Sequence, residues 1–116
     1  STDTNIVGLG KDGTDSTFQW MVNDGSGTAT KTSTGITPDQ TSVYLLTIVI
    51  PSAGGKVSMQ LEIITPSSIT RTAVYSTTTN IPAAGTQMSP KLNITNNATA
   101  ANRVIDLIYI YQKIDN

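Results

Sequence analysis

The 116-residue chain has no histidine and no cysteine. Without cysteine, neither a disulfide nor a thiolate metal site can form. Without histidine, the side chain that most often serves as general base or metal ligand near neutral pH is missing. Charge is also scarce. Seven Lys and Arg stand against eight Asp and Glu, a net charge of -1, which gives neither the basic footprint of a nucleic-acid binder nor an acidic tail. No apolar run reaches the roughly 20 residues of a membrane span, and no basic-then-apolar signal segment opens the chain. The expectation is a protein with no cofactor, no nucleic-acid partner and no membrane insertion. The start at Ser1 fits either loss of an initiator Met or cleavage from a longer polypeptide.

What the chain has in quantity is hydroxyl: 20 Thr and 11 Ser. Thr is β-branched and suits strands, whereas Ser, Gly and Asn suit turns. This composition points to an all-β extracellular or virion protein of one domain, residues 1–116, with residues 1–4 as a polar arm.

The organising stretch is residues 42–64. Tyr44, Leu46, Ile48 and Ile50 alternate with Val43, Leu45, Thr47 and Val49; after a Pro-Ser-Ala-Gly-Gly link, Val57, Met59, Leu61 and Ile63 alternate with Ser58, Gln60 and Glu62. A period of two is the strand period, and the link reads as a hairpin loop. The first run, apolar on both faces, is expected to be the more buried strand. The second is expected to have one dry face and one wetter face.

Further strands are expected at residues 5–9, 17–23, 28–34, 69–76, 88–95 and 103–114. Asn23-Asp24-Gly25-Ser26-Gly27 is expected to turn between the second and third of these. No segment has the apolar face of a helix. About eight strands with short turns and no significant helix predict an antiparallel β-sandwich, jelly-roll-like. Its expected core is Phe18, Trp20, Leu46, Ile48, Met59, Leu61, Leu92 and Leu107.

Several landmarks come in a familiar order. Gly8-Leu9-Gly10 precedes an aromatic strand with Phe18 and Trp20, then the Asn23–Lys31 turn, Thr34-Gly35, an apolar strand with Tyr44, the Thr78-Thr79-Asn80-Ile81-Pro82 segment, and a final apolar strand containing Asp106. This resembles the concanavalin-A-like jelly-roll modules at the distal ends of phage tail fibres and in other phage structural proteins. The resemblance implies a β-sandwich on the exterior of a virion, with other virion proteins and a host surface glycan or protein as partners. It also implies a homo-oligomer, with a trimer favoured. Two features depart from the pattern. Only a few residues precede Gly8-Leu9-Gly10, so a partner subunit or an upstream part of a longer chain would supply the missing edge. The paired-carboxylate strand motif of the related glycanases is absent. A capsid decoration protein that stabilises the head is the alternative. A secreted carbohydrate-binding module would need an export signal.

Glycoside hydrolysis needs two carboxyls flanking a bond. Glu62 and Asp106 are the only acids within strong strand patterns, and no spacing pairs them, so no catalytic residues are assigned. Asp12, Asp15 and Asp24, with Asn23, make an oxygen-rich set in two neighbouring loops, the ligand type calcium takes. They do not match the twelve-residue calcium loop, and Asp-Gly is first a turn signal. Asn93-Ile94-Thr95 and Asn97-Ala98-Thr99 match the glycosylation acceptor pattern, which a Thr-rich chain produces readily. The last strand pattern is different in kind. Ile105, Leu107, Tyr109 and Tyr111 share one face, and Val104, Ile108 and Ile110 the other. A sandwich strand normally keeps one face toward water, so Ile105, Leu107, Tyr109 and Tyr111 are the candidate assembly interface, and one face of this strand, or of Val43–Val49, is expected to pack against a neighbouring subunit or the capsid surface.

Overall fold

A computed structural model describes residues 4–94 and 104–113. They are all-β, with no helix, and therefore none long and apolar enough to cross a membrane. Contacts divide the chain into two units, Ser1–Thr86 and Gln87–Asn116.

The first unit holds six strands: β1 (Ile6–Gly10), β2 (Gln19–Asn23), β3 (Thr30–Ser33), β4 (Val43–Val49), β5 (Val57–Thr65) and β6 (Ser68–Thr77). They form two antiparallel three-stranded sheets, β1-β2-β3 and β4-β5-β6, each a meander with its middle strand second in sequence. In the first, Leu9 is opposite Trp20, and Trp20 opposite Thr32. In the second, Leu46 is opposite Leu61, and Leu61 opposite Ala73. Directly opposed residues share a face. One face of the second sheet therefore carries Tyr44, Leu46, Ile48, Val57, Met59, Leu61, Ile63, Ala73 and Tyr75, and the other carries Val43, Leu45, Val49, Glu62, Ile64 and Val74.

The two sheets share one hydrophobic core. Trp20 and Val22 from β2 meet Val57, Met59, Leu61 and Ile63 from β5, with Ile36 joining from the loop after β3. The rings of Trp20 and Tyr75 stack with centroids 6.1 Å apart, and Phe18 meets Tyr44 edge-on at 5.0 Å. Phe18 lies just before β2, where its N–H donates to the carbonyl of Ile36 and its own carbonyl accepts from the N–H of Thr34. Asn80 ties this core shut at one end. Its Nδ2 donates to the carbonyl of Val22 (3.3 Å), the carbonyl of Thr28 (3.4 Å) and Thr30 Oγ1 (2.8 Å), while its Oδ1 accepts from the N–H of Asp24. It holds this pose with φ at 52°, a left-handed conformation that Asn tolerates better than most residues.

The expected hairpin of residues 42–64 is present and β5 has the expected dry and wetter faces, but β4 is not the more buried of the two strands. β5 alternates strictly between buried and half-buried positions over residues 57–63, whereas β4 is half-buried or exposed throughout. Position in the sheet explains the ranking. β5 has a strand on each side, and β4 is an edge. The inner face of β4 packs Tyr44 and Leu46 against the core, while Val43 and Val49 on its outer face are exposed.

The expected strand count of about eight falls to six among the described residues. The strands expected at 88–95 and 103–114 are absent over residues 88–94 and 104–113, which belong to the second unit. A period-two pattern makes a segment competent to be a strand, but a strand exists only when its backbone groups find a ladder partner. Leu92 and Leu107, expected in the core, are exposed for that reason. Ile48 is also exposed; it lies toward the end of the edge strand. Phe18 and Leu46 are half-buried against the core, and Trp20, Met59 and Leu61 are in it.

Candidate assembly interface

The acidic loop residues can be placed first. The loop after β1 folds back on itself: the N–H of Asp12 donates to Asp15 Oδ2 (2.9 Å) and the N–H of Asp15 donates to the carbonyl of Asp12 (3.1 Å). Two carboxylates this close repel unless a cation joins them, and Lys31 on β3 does so. Its Nζ lies 2.6 Å from Asp15 Oδ2 and 3.0 Å from Asp12 Oδ2. The hydrogen bond from Lys31 holds the Asp15 carboxyl below its ordinary range, and the two aspartates raise the Lys31 ammonium above its own. Asp24 is in a different turn, where Oδ1 accepts from the N–H and hydroxyl of Ser26, which lower its pKa. Of the three candidate calcium ligands, two are brought together, and an ammonium group already bridges them. Among the described residues no cluster of three acidic, His or Cys side chains could hold a metal ion. The missing signal was Lys31, which stands 16 residues from Asp15 in sequence and is matched to it only by the sheet register.

Glu62 and Asp106, the two acids within strand patterns, belong to different units. Glu62 lies on the outer face of β5, opposite Leu45 and Thr72. Asp106 falls in the Gln87–Asn116 unit and in neither sheet.

The feature that stands out is exposed apolar surface, and it has two parts. On the first unit it covers the outer face of the second sheet: Val43, Val49, Ile64 and Val74, the last 70% exposed. Here β4 is an edge strand seven residues long, VYLLTIV, with no charge, no Pro and no Gly. The other edges are blunted. β3 is four exposed residues carrying Lys31, β1 is five residues with two glycines, and β6 carries an Arg in its sequence. Lysine, short length and irregularity are the usual means by which sheet edges avoid further pairing, and β4 has none of them.

The second part is residues 104–111 in the Gln87–Asn116 unit. Ile105, Leu107, Tyr109 and Tyr111 are all exposed, as are Val104, Ile108 and Ile110, with Tyr111 at 78%. The candidate interface residues are thus at the surface, together with the alternate face of the same segment. Compared with protein-family models, curated proteins and solved structures, the chain matches none of them.

Proposed function

We propose that the chain is a non-enzymatic structural module on the exterior of a phage particle. On this reading it is a tail-fibre or appendage module that assembles with copies of itself, as a trimer, and contacts the host surface. The fold in the assembly is a jelly-roll-like sandwich whose strand complement is completed by a neighbour. The observation that carries the reading is the apolar character of residues 104–111, broken only by Asp106 and exposed at every apolar position. A chain with so few charges cannot keep such a segment in water at high concentration without association. The sequence resemblance supplies the viral setting, and the two meandering sheets around one core are compatible with it.

The test is immunogold labelling of purified phage particles that encode the chain, with an antibody raised against it. Label at tail or fibre tips is the expected result. Label spread over the head would replace this reading with capsid decoration, and unlabelled particles would overturn both.

A further inference from the structure

We infer that residues 104–113 of one copy add as an extra strand to the free edge of β4 in a second copy. The inference rests on the self-assembly part of the reading above and is independent of the viral setting.

Each chain carries a donor and an acceptor in equal number. The donor, VIDLIYIYQK, is rich in β-branched and aromatic residues, the types that fit a pleated surface. It nevertheless belongs to neither sheet of the chain that carries it. The acceptor is β4, the one edge strand of the four without charge, Pro, Gly or short length to discourage pairing. The two sequences also match in patterning. β4 is apolar on both faces save Thr47, and residues 104–111 are apolar on both faces save Asp106. An added strand continues both layers of the sheet it joins. Beside β4, one face of the donor extends the layer of Leu46 and Ile48, where Ile48 is left exposed at the margin of the core. The other face extends the outer strip of Val43 and Val49. Main-chain hydrogen bonds would supply affinity and the alternating side chains specificity, as in strand addition generally.

A second copy is the occupant because the donor is part of this chain and the acceptor is repeated on every molecule, while among the described residues neither sheet includes the donor. Such a contact is head-to-tail. It closes into a ring if the rotation between copies allows and otherwise propagates.

The absence of cysteine makes the test clean. A Thr47→Cys chain with one affinity tag is co-expressed with chains bearing a second tag and Cys in place of Asp106, Leu107, Ile108, Tyr109 or Ile110. The purified mixtures are then oxidised. The expected result is a disulfide between differently tagged chains that appears at alternate donor positions and vanishes at those between. In parallel, light scattering of the full chain should give a multiple of 12.2 kDa, and Ile108→Pro, which removes a ladder donor outside the six strands, should return it to a monomer with its far-UV dichroism retained. A disulfide within one chain in the Thr47→Cys, Ile108→Cys double variant, with the protein monomeric, would overturn the inference in favour of self-closure. No disulfide at any donor position, or an oligomer unaffected by Ile108→Pro, would overturn it as well. Failure of the particle labelling with these disulfides present would remove the viral setting and leave strand addition standing.

Discussion

Asp39 shows how much order one exposed carboxylate can impose on a turn. Its Oδ1 accepts from the N–H groups of Thr41 (2.8 Å) and Ser42 (2.6 Å), and its Oδ2 accepts from the hydroxyl of Ser42. Its own N–H donates to the Tyr44 hydroxyl, whose ring meets Phe18. The Ser42 hydroxyl first, and the two backbone donors after it, pull the Asp39 pKa from 3.8 down to about 2. A depressed carboxylate stabilises the fold fully above its unfolded pKa, and that contribution is lost as pH falls from about 4 toward 2. Asp39→Asn, which cannot titrate, should therefore narrow its stability gap to the parent as the pH falls through that window. Thermal melts at pH 6 and pH 2.5 measure the gap; a constant gap at both would be the contrary result. At Gly54 the constraint is steric. It holds φ at 69° in the turn after β4, where an added Cβ would lie 2.9 Å from the Ala84 Cβ, so only glycine meets both demands.

At the scale of the element, place in the sheet outweighs sequence pattern. Leu61 on β5 is fully buried and opposed on both sides, whereas Leu46 on edge strand β4 is half-buried. Leu61→Ala should cost about 2–5 kcal/mol, the range for a buried leucine, and Leu46→Ala distinctly less. Urea denaturation of the two variants gives both numbers, and equal losses would mean that β4 is covered in solution. Period and turn chemistry made all six strands legible within a few residues, because alternation and Gly-rich breaks are local properties. The Asn23–Gly27 turn is an example: the N–H of Gly25 donates to Asn23 Oδ1 and that of Ser26 to Asp24 Oδ1. Which strand lies inside its sheet and which at an edge was not legible, since that depends on what pairs beyond each local hairpin. The ranking of β4 as the more buried strand was therefore wrong, while the dry and wetter faces of β5 were read correctly. The candidate interface divides in the same way. The apolar character of residues 104–111 was plain from residue types, but nothing local says whether such a segment has a ladder to join. The grouping of Asp12 with Asp15 followed from their spacing, and the bridging Lys31 did not.

For the whole molecule, the topology separates what forms early from what forms late. Each sheet is a meander, so pairing within it joins neighbours along the chain and closes short loops. The side chain of Asn80 instead reaches back 50 residues to Thr30 and 58 to Val22. Contacts that close so long a loop and rest on a finished β2–β3 hairpin belong on the native side of the folding barrier. Their loss shows in the rate of escape and hardly at all in the rate of entry. Asn80→Gly keeps the left-handed backbone and deletes the side chain. It should speed unfolding several-fold in stopped-flow traces while refolding keeps its pace; a slowed refolding limb would instead place the latch in the nucleus. Under the proposed function the chain is carried outside a particle with no cell to repair it, and the quantity at stake is lifetime. A single late-closing amide would then govern how long the folded state persists.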